Sequence, residues 1–242
     1  MSIIKLAATA DIHAPRYTKL FEYSLSNTDL SDVDILLLAG DIVLHNDYRQ
    51  MDGVISKITE FYDGPIYACF GNEEYHGYET EYRRLGKIVW LDDESSTISL
   101  NGLRIGIVGS RGALDSPTNW QRKFRPDIKS IYANKPSLMV KLLSSLNVDL
   151  KIVLTHYSPT YKTLRGEDPN IWVYLGCKAM EPTIAYTNIW IHGHAHKGMI
   201  ESIKINGIPV YNVSLPARKR IVIIEVRAEK KSRGLDGFFA KY

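Results

Sequence analysis

The sequence predicts an α/β fold, and three observations predict it. Short runs of β-branched and other apolar residues recur along the chain, each ending at a polar or glycine-containing turn. Segments with the apolar spacing of helices lie between the earlier runs. The 242 residues are 45% apolar and 24% charged, close to the average of soluble globular proteins. A chain of this length can bury one large core.

The predicted strands are continuously apolar rather than alternating, a pattern typical of strands that are covered on both faces. They are Ile3 to Ala8, Ile35 to Ala39, Ile66 to Phe70, Ile105 to Val108, Ile152 to Leu154 and Ile189 to Ile191. Helical spacing predicts helices over Met51 to Tyr62, Glu79 to Leu85 and Pro136 to Leu146. The stretch from Ser110 to Lys135 has no clear period, and we expect it to form an active-site loop.

Towards the C terminus the pattern changes to short strands with tight turns. Met199 to Ile205 and Val210 to Val213 flank Asn206-Gly207, and Asn-Gly between two apolar runs is a strong hairpin signal. Ile221 to Val226 forms a further predicted strand. The second half is therefore expected to add antiparallel strands, which makes the sheets mixed.

We expect one domain over residues 1–226. The remaining residues, 227–242, form a tail whose Phe238 and Phe239 are expected to pack on the domain or to make a partner or dimer contact. Both a monomer and a homodimer are compatible with this pattern.

Charge and cysteine content exclude several classes of protein. A formal net charge of +3 is far below the clustered excess of a dedicated nucleic-acid binder, although an anionic substrate is compatible. Cys69 and Cys177 have no CxxC or zinc-ribbon spacing, so neither a disulfide framework nor a structural zinc site is expected. The first apolar run ends at Asp11 and is too short for a signal peptide or a membrane span. We expect a cytoplasmic protein with no membrane partner.

Polar side chains follow the predicted strands at the points where the strands end. They are Asp11, His13, Asp41, Asn72, Glu73, Glu74, His156, His192, His194 and His196. Because strand carboxyl ends in an open α/β sheet border one crevice, we expect these side chains to converge. A structural role, as a helix cap, a turn residue or a loop histidine, explains a polar residue at any one of these positions. It does not explain why such residues occur at five strand ends.

The chemistry of these groups predicts a pair of metal ions. Carboxylate, imidazole and amide ligands without a thiolate suit Mn, Fe, Zn or similar divalent ions. One ion cannot use all the ligands, whereas two ions can if a carboxylate bridges them, and such pairs serve phosphoryl transfer. The predicted metal ligands are Asp11, His13, Asp41, Asn72, His156, His194 and His196.

The ordered motifs D-x-H, GD, GN, H and GHxH run from residue 11 to residue 196 and resemble those of the calcineurin-like metallophosphoesterase superfamily. The resemblance implies a four-layer α/β/β/α sandwich. It implies two metal sites that share one ligand: Asp11, His13 and His196 at the first, Asn72, His156 and His194 at the second, and Asp41 between them. It also implies that a metal-bridging hydroxide attacks the phosphorus, with Asp41 and Asn72 in the catalytic centre and no protein nucleophile.

The sequence departs from the family pattern at one position. After Gly-Asn the family has a histidine followed by an acid, and that histidine protonates the leaving group or stabilises the transition state, whereas this chain has Glu73 and Glu74. Glu73 is the acid if its pKa is raised, or another histidine such as His192, His45 or His76 reaches the site. Otherwise the leaving group needs little protonation, or activity is reduced. The GNEE motif resembles the predicted Icc-related phosphoesterase subgroup.

The expected substrate is a small-molecule phosphate ester or a nucleotide. Candidate substrate contacts are Arg111, Arg122, Arg125 and His192. The arginines are included because a guanidinium binds phosphate through two hydrogen bonds. Trp120 in the same stretch offers a surface on which a base can stack.

Two other functions stay open. One is a nuclease of the same superfamily, which is less expected because no further segment is left to hold long DNA. The other is a metal-binding interaction module with little catalysis, which Glu73 favours and the complete ligand set disfavours.

Overall fold

The structure of the protein, a computed structural model, describes residues 2–230, so Phe238 and Phe239 lie outside the described residues. The strands are β1 (Ser2–Thr9), β2 (Ile35–Ala39), β3 (Ile66–Cys69), β4 (Val89–Leu91), β5 (Glu94–Leu100), β6 (Leu103–Ser110), β7 (Leu150–Thr155), β8 (Ile189–His192), β9 (Ser202–Ile205), β10 (Ile208–Asn212) and β11 (Val222–Ala228). The helices are α1 (Thr18–Ser26), α2 (Gln50–Thr59), α3 (Glu79–Arg83), α4 (Asn119–Phe124), α5 (Ile128–Ser145) and α6 (Leu215–Arg218). Short 3-10 segments cover Tyr161–Thr163, Pro169–Tyr174 and Lys178–Tyr186.

The strands form two mixed sheets. One has the order β11-β1-β2-β3-β4, and the other has the order β5-β6-β7-β8-β10-β9. Within the first sheet β1 to β4 are parallel and β11 is antiparallel to β1. In the second, β6, β7, β8 and β10 are parallel, and β5 and β9 are antiparallel edge strands. The α/β class and the mixed sheets predicted from the sequence are confirmed.

Three apolar cores lie between four layers of secondary structure, in the order helices, sheet, sheet, helices. Strand β2 shows the arrangement, because Ile35 and Leu37 pack between the two sheets, whereas Leu36 packs against the helices. Phe21 of α1 belongs to that helical core, and Met139 of α5 covers the outer face of the second sheet. The helix, sheet, sheet, helix order agrees with the continuously apolar strands, since each central strand is covered on both sides.

The Asn206-Gly207 turn connects β9 and β10, whose Ile205 and Ile208 are paired. Both turn residues have positive φ, 50° and 82°, which is the geometry that a two-residue hairpin turn requires. The predicted hairpin is therefore confirmed. Strand β11 ends at Ala228, so it includes the first two residues of the expected tail, which begins at residue 227.

The expectation of an irregular stretch from Ser110 to Lys135 was wrong. Residues 119–124 form α4, and α5 begins at Ile128 rather than at Pro136. The buried stripe of α5 includes Tyr132 and Lys135, and polar residues on a buried face hide the helical period from a sequence reading. The Lys135 ammonium is accommodated because it lies 2.6 Å from the Asp93 carboxylate.

Parallel pairing places the carboxyl ends of the central strands at the same edge of both sheets. Every predicted metal ligand lies just beyond one of these ends, so the motifs from both sheets border one cleft. Among residues 2–230 no helix is long and apolar enough to cross a bilayer.

Candidate metal centre

The turns that leave the strands have an unusual backbone. Asp11, His13, Asp41 and His194 have φ values of 60°, 44°, 51° and 67°. Left-handed conformations cost energy in residues other than glycine and persist where the surroundings fix them. Backbone hydrogen bonds do so here, since the Asp11 amide donates to the Gly40 carbonyl and the His13 amide to the Asp41 carbonyl, each at 3.0 Å.

The glycines of the GD and GN motifs allow these turns to approach each other. Gly40 has φ of 80°, and a Cβ on it would lie 2.8 Å from the Gly71 nitrogen and from His156 Nδ1. A Cβ on Gly71 would collide with the Asp41 carboxylate. Only glycine allows the second and third strand ends to meet in this way.

Asp11, His13 and His196 form the first group of candidate ligands, with their donor atoms within 4.8 Å of one another. Asp11 Oδ1 lies 3.2 Å from His196 Nε2 and 4.0 Å from His13 Nε2. Asp11 Oδ2 accepts a hydrogen bond from the His194 amide at 2.9 Å, whereas Oδ1 is buried without a hydrogen-bond partner among the described residues. A buried carboxylate oxygen in this position fits a bound cation, because it would otherwise be left unsatisfied.

Asp41, His156 and His194 form the second group. Asp41 Oδ2 lies 3.3 Å from His156 Nε2 and 3.7 Å from His13 Nε2, so the carboxylate stands between the two groups. Asn72 belongs beside the second group, since its Oδ1 lies 3.1 Å from His156 Nε2. The structure thus brings all seven predicted ligands together.

Hydrogen bonds to carbonyl groups fix which imidazole nitrogens face the cleft. His156 Nδ1 lies 3.0 Å from the Ala39 carbonyl oxygen, and His194 Nε2 lies 3.1 Å from the Tyr174 carbonyl oxygen. A nitrogen that faces a carbonyl carries a proton, so His156 Nε2 and His194 Nδ1 are the nitrogens left to bind a metal ion. Such support is typical of metal-binding histidines.

The two carboxylates are ionised and surrounded by imidazoles. Burial opposes ionisation of Asp41, but the nearby His156 outweighs it and lowers the pKa of Asp41. Burial also opposes protonation of His156, and Asp41 reverses this effect and raises the pKa of His156 to about 9. Burial lowers the pKa of His194 to about 3. Without a bound cation Asp41 therefore favours a protonated His156, and a divalent ion would take the place of that proton, since metal-ligating imidazoles are neutral.

Glu74 holds the turns that carry the ligands. Its side chain is fully buried and accepts hydrogen bonds from the amides of Asp41, Ile42 and Gly71 at 2.9, 2.7 and 2.7 Å, and from Val43 at 3.2 Å. Burial, followed by the charge of Asp41, raises its pKa to about 7, while the amide hydrogen bonds act in the opposite direction. The sequence reading gave Glu74 no role, although the acid that follows Gly-Asn in the family pattern was the signal for it.

Glu73 lies at the mouth of the cleft beside His45. Its Oε2 accepts the His45 amide hydrogen bond at 2.7 Å and lies 3.2 Å from His45 Nδ1. Its own amide donates to Asp41 Oδ1 at 2.8 Å. Both side chains line the same cavity as Asn72 and His194.

The other histidines named as possible acids lie elsewhere. His192 is fully buried, with Nε2 2.9 Å from Thr163 Oγ1 and 3.3 Å from Ser158 Oγ, so its polar atoms face the core. His76 lies 3.4 Å from Glu79 in a neighbouring cavity. His45 is therefore the histidine nearest to Glu73 among those three.

Of the predicted arginine contacts, Arg111 is buried and already partnered. Its guanidinium donates to the carbonyls of Gly71 and Glu74, lies 3.1 Å from Glu79 and lies 3.4 Å from Asp92. Arg111 therefore stabilises the turn that contains the GN motif. His76, Glu79 and Asp92 also form a third cluster of metal-ligand types, but the Arg111 cation already contacts both of its acids.

The remaining two arginines lie on or beside α4. Arg122 is exposed and donates to the Asn119 side chain of its own helix. Arg125 lies 3.2 Å from Asp127 and lines the neighbouring cavity, which contains Asn72 but none of the candidate histidine ligands.

The comparisons with known proteins agree with this geometry. The family model described as calcineurin-like phosphoesterase matches residues 4–198, which contain every candidate ligand. The chain belongs to this family. Members are dimetal-dependent, and the two ligand groups of this chain have the corresponding composition. No curated protein gives a significant sequence match.

Solved structures share the fold at low sequence identity. The phosphopantetheinyl hydrolase of Mycobacterium tuberculosis has a TM-score of 0.67 at 13% identity, over 90% of this chain and 95% of that one. A dimetal phosphatase from Danio rerio has a TM-score of 0.58 at 9% identity, over 92% and 91%. GAP50, the anchor in the inner membrane complex of Plasmodium, has a TM-score of 0.56 at 12% identity, over 93% and 81%. At these identities the likeness concerns the fold alone.

Proposed function

We propose that this chain hydrolyses a phosphate monoester or diester of a small molecule or nucleotide, using two divalent ions such as Mn, Fe or Zn. The observation that carries the proposal is the position of Asp41, whose Oδ2 lies 3.7 Å from His13 in one ligand group and 3.3 Å from His156 in the other. A carboxylate between two sets of ligands suits a shared ligand of two ions.

Two such ions, when bound, supply acidified water and charge that neutralises the phosphate. The chain's own part is to hold them in one geometry. Asp11, His13 and His196 would hold the first ion, Asn72, His156 and His194 would hold the second, and Asp41 would be shared. Glu74 accepts hydrogen bonds from three consecutive amides, residues 41–43, and from the Gly71 amide. It therefore holds the turns of Asp41 and Asn72 together.

We further propose that Glu73 and His45 provide the proton for the leaving group. Glu73 accepts a hydrogen bond from the His45 amide and lies 3.2 Å from its imidazole, and both side chains line the cavity that contains Asn72. His45 is exposed and carries the mobile proton in this proposal, and Glu73 orients it. The pair takes the place of the histidine that the family has after Gly-Asn.

The decisive test is activity profiling of metal-reconstituted protein. Phosphate monoesters, linear and cyclic diesters and single-stranded DNA are assayed in parallel, with Asp41→Asn as the inactive control, because asparagine tolerates the left-handed backbone of this position. The proposal predicts turnover of at least one small ester and loss of that turnover in the variant. Fully metal-loaded protein that hydrolyses none of the panel contradicts it.

The same panel separates the two alternatives. A nuclease would prefer DNA, and its polynucleotide binding would weaken steeply with salt. An interaction module would bind two metal equivalents without turnover. GAP50, described as an anchor, has the same fold as this chain, but the complete ligand set favours catalysis.

A further inference from the structure

A cavity of about 590 Å³ opens directly beside the candidate metal ligands Asn72 and His194. Its walls are mostly apolar and include Tyr75, Leu114, Trp120, Tyr157, Ile171 and Tyr174. Tyr174 also fixes the metal centre, because its carbonyl faces His194 Nε2. The cavity is therefore bordered by two candidate ligands of the second ion, Asn72 and His194.

Several of these walls expose large apolar side chains to water. Trp120 is 49% exposed, Ile171 39% and Tyr174 37%. Grouped apolar surface around a concave opening is typical of a ligand site, whereas isolated exposed side chains need no explanation.

Trp120 is held in place rather than free to move. Its ring centroid lies 5.4 Å from that of Tyr75. Its helix α4 begins with a capping box between Thr118 and Gln121, and Gln121 Nε2 donates to the Tyr157 hydroxyl at 3.0 Å. Tyr157 in turn packs at 4.9 Å against the ring of His194. The helix that carries the indole is thus linked to the candidate ligand His194 through Gln121 and Tyr157.

The charged residues that line this cavity limit the chemical class of ligand that it can bind. Among the described residues that line this cavity there is no lysine or arginine. The cations of the neighbouring cavity, Arg111, Arg125 and Lys135, each face an acidic side chain. A second phosphate or a polynucleotide backbone therefore finds no lysine or arginine in this cavity, whereas an uncharged flat group finds aromatic surface.

We propose that this cavity binds a planar aromatic group, an aryl ring or a nucleobase, carried by the phosphate ester, with Trp120 as the stacking surface. This inference rests on the proposed function, because it places the phosphate at the metal centre. Asn72 and Trp120 line the same cavity, so one ester molecule could place its phosphate at the metal ligands and its ring on the indole. Stacking is largely indifferent to the identity of the ring, so the cavity selects aromatic character.

Binding of non-hydrolysable phosphonates tests the inference without turnover. The probes are phenylphosphonate, the 5′-phosphonate analogue of AMP and, as a saturated ring of similar size, cyclohexylphosphonate. Titration calorimetry of metal-loaded protein gives each Kd. We expect at least one aromatic probe to bind roughly 10-fold more tightly than the saturated one, since a stacked ring contributes at this scale. The stronger of the two aromatic probes identifies an aryl or a nucleobase ligand.

Trp120→Leu keeps an apolar side chain but removes the ring, and Tyr23→Ala removes an exposed aromatic that lines neither cavity. The aromatic preference should disappear in Trp120→Leu and persist in Tyr23→Ala, with metal content unchanged in both. A wild type that binds neither aromatic probe more tightly than cyclohexylphosphonate overturns the inference, as does a preference that survives in Trp120→Leu. A protein that binds the aromatic probes selectively but hydrolyses no ester contradicts only the proposed function.

Discussion

The two sides of the cleft are built differently. On the metal side, Asp11 and Asp41 are buried, have left-handed backbones and are fixed by hydrogen bonds from neighbouring turns. On the opposite side, α4 has six residues, none of them buried, and presents Trp120 to water. From this difference we expect the geometry of the candidate metal ligands to depend on the folded backbone, whereas the aromatic lining can change with little cost to the fold.

The largest effect is expected on the metal side. Asp41→Asn should lower kcat/KM by more than about 1000-fold, because several kcal/mol of charge stabilisation depend on the shared ligand. Steady-state kinetics with an aryl phosphate and metal analysis of the same sample measure it. Asp52→Asn, on the exposed face of α2, is the matched control and should retain wild-type activity. Equal activity in the two variants would remove Asp41 from the mechanism.

The next effect concerns the leaving group. His45→Asn should lower kcat for phenyl phosphate by about 100-fold, and by far less for 4-nitrophenyl phosphate, since a good leaving group needs little protonation. Asparagine suits the φ of 53° at this position. Glu73→Gln should show the same selectivity for the poor leaving group.

His76→Asn is the control, because His76 pairs with Glu79 in the neighbouring cavity. If only Glu73→Gln shows the effect, Glu73 itself is the acid. If neither variant discriminates between the two leaving groups, the pair has no role in proton transfer.

Glu74→Gln should lower both the stability of the fold and the metal affinity, because Glu74 supports several ligand turns at once. A glutamine cannot accept all the amide hydrogen bonds of Glu74, so we expect a loss of about 3 kcal/mol in the free energy of unfolding. Metal affinity should fall roughly 10- to 100-fold, as for other groups that support ligands. Urea unfolding and competitive chelation measure the two effects. Glu81→Gln, which breaks an exposed pair with Arg84, should change stability by less than about 0.5 kcal/mol.

The smallest effect is expected on the aromatic side. Thr118→Ala removes the cap of α4 and should destabilise that helix by about 1 kcal/mol. Amide hydrogen exchange over residues 119–124 should become faster, while metal affinity stays at the wild-type value. Reduced metal binding would show that the two sides are coupled, contrary to the comparison above.

The sequence predicted the two sides unequally well, and the reason is physical. Ligands such as Asp11 and His194 follow strands with an obvious apolar pattern, and parallel strands bring their ends together. The α4 wall depends on one six-residue helix, and α5 hides its period because Lys135 faces the core beside Asp93. Glu74 was missed because it binds the amides of a distant turn, which side-chain patterns do not reveal, so the acid in the family motif was its sign in the sequence.

The family resemblance gave an accurate expectation of the four layers. It gave less guidance on substrate contacts, since Arg111 is occupied by Gly71, Glu79 and Asp92 and His192 faces the core. Neither fact follows from residue type, because both depend on which neighbours the fold supplies.

The most direct test of the central claim is anomalous diffraction from crystals of the manganese-loaded protein. The account predicts two peaks roughly 3.5 to 4 Å apart. One should lie among Asp11, His13 and His196, and the other beside His156 and His194, with Asp41 in contact with both. A single ion, or a second ion at the His76, Glu79 and Asp92 cluster instead, would contradict it.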